Sequence, residues 1–406
     1  MAGALVVGAL GCAAAPSAPP RGPTRGLEEP ELRVGLVVGA ARVEVSAAGR
    51  LLAMAGGEAA FGLNPHEVAV VVPDGRGIRV EHRGGKPQFE SVTFAGADPG
   101  RPVLVDGKPY RGIVEVFARN GAVTAVDRVR LEDYLLGVVP VEMGPRGGAD
   151  AAALRAQAIA SRTYALRNRG RYRAEGYDLR AGVSDQAYGG MATETESAPA
   201  AVRATAGGVL TFDGEPISAF FHSTCGYRTA ELGEAFRAIA EAPYLRSVSD
   251  QRQGGYYCDL SPRFRWRVEW DAATLRDILR RTVPSVLGVD AGELTQVRDV
   301  RVHRTGRSGR VTELRIRVAR GDIPVYGPDV RQVLATPQGA PLGSNAIQLS
   351  SETGGDGLVH LAAAGAGWGH GVGMCQWGAI GRARAGQNER TILATYFPGA
   401  RLERWY

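Results

Sequence analysis

The sequence predicts an α+β fold: a β-rich N-terminal domain, then a mixed α/β core with a central helix, a substrate groove and an inserted α/β lobe. Three observations carry this. Short alternating strands fill residues 32–126, a long Ala-rich helix occupies residues 151–168, and the later strands and helices mix without regular βαβ alternation.

The elements follow in order. Residues 1–12, MAGALVVGALGC, are apolar and end at Cys12; with the Pro/Ala/Gly-rich residues 13–31 they read as a lipoprotein-like export signal and a flexible linker. In residues 32–126, LRVGLVV, RVEVSA, VAVVV, IRVEHR, PVLVDG and GIVEVFA alternate or run apolar between Gly, Asp and Pro turns. The core then spans residues 127–406. Its first segment, LEDYLLGVVPVEM, is apolar and is followed by the loop GPRGG. Asp150 stands at an N-cap position, so the helix of residues 151–168 is expected to be about 27 Å long. On it Leu154, Ala158 and Ala165 form a small apolar stripe, and Gln157, Ser161 and Tyr164 form a polar one that faces either a groove or solvent. A helix near 195–206 and a strand pair come next. Residues 261–345 read as the inserted lobe, with a strand FRWRVEW, a helix DAATLRDILRRTV and a hairpin around TGRSGR.

Composition narrows the function. The chain has 406 residues and a formal charge of +6, but its only lysines are Lys86 and Lys108. Arginine-rich charge with abundant Ala and Gly reads as coding bias. No basic run, zinc-finger spacing or helix-turn-helix signature accompanies it, so nucleic acid is not an expected partner. No apolar run reaches the length of a membrane span; a lipid on Cys12 is the one expected membrane contact. There is no phosphate-cradling loop, GxGxxG, HExxH or GxSxG, and no cofactor is expected.

Candidate chemistry sits in three places. Glu142 lies between Val141 and Met143 at the end of an apolar segment; partial burial there would raise its pKa, as a general acid near neutral pH requires. His222 and Cys225, in FFHSTCGYRT, have the His-x-x-Cys form of a metal site that Cys258 or Cys375 would complete. The alternatives are a Cys225–Cys258 disulfide, free thiols, or a Cys225 nucleophile paired with a histidine. His370 lies in WGHGVGMCQWG, where alternating glycines either expose backbone donors to a sugar beside Trp368 and Trp377 or form a tight buried turn.

Taken together, LEDYLLGVVPVEM, ALRAQAIASRTYAL, SDQAYGG, AFFHSTCGYRT, GWGHGVGMCQWGA and ILATYFPGA resemble, in order, the stage II sporulation protein D / amidase-enhancer (SpoIID/LytB) family. The resemblance implies peptidoglycan processing in the cell envelope. Its characterised members are lytic transglycosylases that cut between N-acetylmuramic acid and N-acetylglucosamine, or enhancers of wall amidases. It places the catalytic glutamate on Glu142 and substrate-binding positions on Gln157, Arg162, Tyr164, Tyr188, His222, Ser223, His370 and Gln376. Glycan strands and a wall amidase are the expected partners. Two departures matter. The zinc-type His and Cys that sporulation members carry before VYGG have no counterpart in GVSDQAYGG. Tyr227 replaces a glycine common after CG, which is expected to narrow the cleft near His222.

Overall fold

A computed structural model describes residues 28–98, 100–182, 184–236, 242–355 and 357–406. Residues 1–12, Cys12 and nearly all of the linker lie outside the described residues.

The N-terminal strands form where apolar residues alternate. Val43 and Val45 are buried beside part-exposed Glu44 and Ser46, and Val92, Phe94, Val114 and Val116 repeat the period of two. They build two sheets. The seven-stranded sheet runs Leu179–Arg180, Glu31–Ala40, Ala122–Arg130, Ile113–Arg119, Ser91–Gly96, Leu51–Ala55 and Glu58–Leu63. The six-stranded sheet runs Lys108–Tyr110, Val103–Val105, Val43–Ser46, Ala69–Asp74, Gly77–Glu81 and Gln88–Phe89. The inward faces of both share one apolar core with the helices that follow. The fold is α+β.

The apolar segment before GPRGG is itself a helix, α1, Leu131–Met143. Strand Ala122–Arg130 runs straight into it, Glu132 and Asp133 occupy its first turn, where the helix dipole favours acids, and Gly144 closes it at φ +67°. Glu142 therefore stands on the last turn of a helix. α2, Ala151–Arg167, follows. Asp150 takes the N-cap position, but its side chain accepts no capping hydrogen bond; its carboxylate instead pairs with Arg384 at 2.7 and 3.1 Å. α2 is buried on nearly every side, polar stripe included, because it packs against α1, α3 (Ser197–Ala204), strand Gly208–Phe212 and helices Gln376–Arg384 and Glu389–Tyr396.

The inserted lobe has its own core, whose members run from Trp270 to Ala363, past residue 345. The reason is topological: strand Arg265–Asp271 pairs with Gly357–Ala366, which pairs with Ile347–Gly354. Helix Ala272–Leu287 and a second sheet, Val297–Thr305, Val311–Val318 and Gly321–Tyr326, complete it. Tyr227 donates to Ser308 O at 2.8 Å, so its ring turns to this lobe rather than narrowing the cleft near His222. Among the described residues no helix is long and apolar enough to cross a membrane.

Candidate active site

Glu142 is half-buried. The Ala187 N–H donates to its Oε1 at 3.1 Å, and Gln376 Nε2 donates to its Oε2 at 3.4 Å. The same Gln376 amide reaches Gln157 Oε1 at 3.4 Å, and Gln157 Nε2 in turn donates to Ser161 Oγ at 3.0 Å. Thus Gln157 and Ser161 of the polar stripe on α2 are buried and lead through Gln376 to the acid, whereas Tyr164 turns to Asp185. Burial pushes the Glu142 carboxyl above its ordinary range, and the two hydrogen bonds offset this only in part. Burial thus shifts the balance toward the proton-bearing form, the direction a general acid requires.

The surroundings keep that setting. Tyr134 on α1 donates to Gln186 Oε1 at 3.3 Å, and the buried Gln186 Nε2 has no partner among the described residues. Just past α1, Arg146 donates to Met143 O and lies 4.7 Å over the Trp377 ring. Loop Asp185–Thr193 can lie on α1 because position 137 is glycine: a Cβ there would stand 2.7 Å from Tyr188 Cε2.

The other expected site residues divide. Tyr164 and His370 line one cavity of about 410 Å³ with Asn168, Arg171, Asp185 and Phe220; Glu142 is not in its wall. His222 and His370 come together, ring centroids 5.6 Å apart, because strand Phe221–His222 runs parallel to Met374–Cys375. His370 Nδ1 accepts from the Val372 N–H at 3.1 Å, which leaves its Nε2–H to donate to Phe221 O at 2.9 Å. His222 Nδ1 meets Val372 O at 3.2 Å, and its buried Nε2 is unpartnered among the described residues. Burial lowers both rings, His370 to about 4, so both are neutral at pH 7. The glycine alternation serves the tight buried turn: a Cβ on Gly373 would sit 2.1 Å from Phe220 O, and one on Gly367 2.4 Å from Thr224 O.

Three expectations need correcting. Arg162 is fully buried beneath the site, where its Nε and Nη2 grip both oxygens of Glu132 at 2.7 Å; it buttresses α1 rather than lining a groove. Tyr188 is likewise internal, donating to Asp127 Oδ2 at 2.8 Å and packing 4.8 Å from the Tyr134 ring. Ser223, by contrast, is half-buried with its Oγ 3.3 Å from Thr224 Oγ1, a setting that does not contradict its expected role. The Cys225–Cys258 disulfide is not formed: both thiols are free, with their Sγ atoms 3.5 Å apart against about 2.05 Å for a bond.

Residues 119–212 match the family model described as Stage II sporulation protein (SpoIID), and that stretch holds Glu142, Gln157, Arg162, Tyr164 and Tyr188. The chain thus carries a SpoIID domain, in line with its likeness to the SpoIID/LytB family. Residues 228–373 match a second model, described as a domain of unknown function (DUF8618). An uncharacterized protein of Brachyspira hyodysenteriae is 27% identical over 338 residues, covering 82% of both chains. The Stage II sporulation protein D of Bacillus subtilis is 27% identical over 299 residues, 68% of this chain and 76% of that one. The Amidase enhancer of Bacillus subtilis is 25% identical over 364 residues, 81% of this chain and 50% of that protein's length.

Around this SpoIID domain, sequence reasoning missed Arg146, Gln186 and the Ala187 N–H. Gln186 and Ala187 lie inside the quoted stretch SDQAYGG, so the signal was present but was spent on Tyr188 alone. Gln376 lies beyond both matched stretches and still supplies the side-chain contact to the acid.

Proposed function

We propose that this protein is a lytic transglycosylase of peptidoglycan, exported to the cell envelope and anchored there through a lipid on Cys12. Protonated Glu142 donates to the glycosidic oxygen between N-acetylmuramic acid and N-acetylglucosamine. The resulting carboxylate takes the proton from the muramyl C6 hydroxyl as that oxygen closes on C1, giving a 1,6-anhydro end. The nucleophile belongs to the substrate and is held in place already, so one acid/base suffices where most glycosidases need two carboxylates. Gln376 and the Ala187 N–H are placed to receive the carboxylate after the first transfer. The observation that carries the reading is a half-buried Glu142 whose acid form burial favours.

The test uses purified protein and peptide-stripped glycan strands, with mass spectrometry of the released ends. Anhydromuramyl ends are expected, and Glu142→Gln should reduce them about 10²–10⁴-fold. Equal product from the variant would falsify the role of Glu142.

A second reading, a glycan-binding enhancer of a wall amidase, is favoured by one observation: the cavity lined by Tyr164 and His370 does not include Glu142. It predicts binding to sacculi, no released ends, and faster amidase turnover.

A further inference from the structure

Three cysteines far apart in sequence, Cys225, Cys258 and Cys375, meet one aspartate, Asp250, in the interior. Their Sγ atoms and one carboxylate oxygen all lie within 4.8 Å of one another, and all four residues are buried. Each comes from a different piece of the fold. Cys225 precedes the turn at Gly226, Asp250 follows the Arg228–Ser249 bridge, Cys258 is in the short helical turn Tyr257–Leu260, and Cys375 caps helix Gln376–Arg384. His222, the ligand its spacing suggested, is not in the cluster.

We propose that these four side chains form a structural zinc site. Thiolate-rich tetrahedral sets with four protein ligands and no open position are the form such sites take. Zinc–sulfur bonds of about 2.3 Å put tetrahedral sulfurs about 3.8 Å apart, and the Cys225–Cys258 separation of 3.5 Å is near that. The outer contacts are those of a metal site. The Cys225 and Gly378 N–H groups donate to Cys375 Sγ at 3.1 and 3.2 Å. Tyr396 OH and Arg382 Nη2 hold Asp250 Oδ1 at 2.7 and 3.1 Å, leaving Oδ2 turned to Cys225 Sγ at 3.4 Å. Gly378 is glycine because a Cβ would stand 2.3 Å from Asp250 Oδ2.

Charge agrees. Three thiolates and a carboxylate around a divalent cation leave two negative charges in excess. Two buried guanidiniums face them: Arg382 on Asp250, and Arg310, whose Nη2 donates to Cys225 O at 2.9 Å. A disulfide between any two of the sulfurs would instead strand the third thiol beside an anionic Asp250. The site ties the His222 turn to the start of helix Gln376–Arg384. It therefore fixes Gln376 against Glu142 whether or not Glu142 performs chemistry.

The experiment is native and denaturing mass spectrometry with elemental analysis on the full chain, produced with zinc and without chelator. One zinc per chain is expected, with the thiols of Cys225, Cys258 and Cys375 blocked when folded and reactive when unfolded, counted apart from the fourth cysteine, Cys12. Cys375→Ser keeps the N-cap and should retain less than about a tenth of the zinc. Tyr396→Phe, which disturbs only the outer contact, should weaken zinc binding about 10–100-fold. His222→Gln should keep the full zinc content. A metal-free chain lighter by the two hydrogens of a disulfide overturns the proposal, as do three reactive thiols with no metal or zinc content indifferent to Cys375→Ser.

Discussion

Replacing Arg162 by Met tests the buttress directly. The guanidinium is fully buried and holds both Glu132 oxygens at 2.7 Å, with Gly208 O accepting from Nη1 at 3.2 Å. Burial pushes the Glu132 carboxyl up, and Arg162, together with the Tyr406 OH and the Gly207 N–H, more than reverses this, leaving it below the usual carboxylate range. Removing one partner of a buried pair costs about 3–5 kcal/mol because the other charge is left uncompensated. Glu132 keeps 18% of its side chain exposed and two further donors, the Tyr406 OH and the Gly207 N–H, so the low end, about 3 kcal/mol, applies. At roughly 2–4 °C per kcal/mol, thermal unfolding by circular dichroism should show Tm lower by about 6–12 °C. A carboxyl with a lowered folded pKa contributes stability above its unfolded pKa and loses it as pH falls, so the deficit should shrink below about pH 4. Adding Glu132→Gln to the variant should restore most of the loss. Unchanged Tm with glycan binding abolished would refute this reasoning and return Arg162 to a groove.

Other outcomes follow from the same geometry. Burial raises the Asp127 carboxyl to about 7; a raised folded pKa gives stability that is full below about pH 4 and lost as pH rises through about 7. Asp127→Asn should therefore flatten the Tm–pH curve across that window, by on the order of 4 kcal/mol at its upper end; an unchanged slope would count against it. Gly137→Ala gains about 1 kcal/mol of helix propensity but drives a Cβ to 2.7 Å from Tyr188 Cε2 and 3.0 Å from Gly190 O. Overpacking of about 1–3 kcal/mol should win, read as a lower Tm. Gln376→Leu deletes a hydrogen bond that favours ionised Glu142, so the high-pH limb of kcat/KM for glycan release should move upward; movement downward would reject Glu142 as the acid.

Much of this was legible in the chain. Strands such as Val43–Ser46 and Ser91–Gly96 announce themselves by alternation, and Ala151–Arg167 by its composition and by Asp150 at its start. Glu142 was visible as an acid among apolar residues and its partial burial was expected, but its hydrogen-bond partners were not, because Ala187 and Gln376 approach from elsewhere in the fold. Arg162 shares α2 with Gln157 and Tyr164, yet it points toward Glu132 while they turn toward the Gln376 and Asp185 sides. Sequence order does not separate those directions when a helix is buried all round. Asp250 carried no signal: it is one of 42 acidic residues, and only the convergence of three loops sets it apart.

The two ends of α1 are gripped by the same late stretch of polypeptide: Glu132 by Tyr406, 274 positions away, and Glu142 by Gln376, 234 positions away. A nascent chain that has finished this helix therefore owns an acid without its amide clasp until residues 376–406 have been made and docked. Contacts at such separations form late and close slowly. The clasp on Glu142 therefore stays incomplete until synthesis has run well beyond the inserted lobe, and a proteolytic cut ahead of Gln376 would leave the fragment without it.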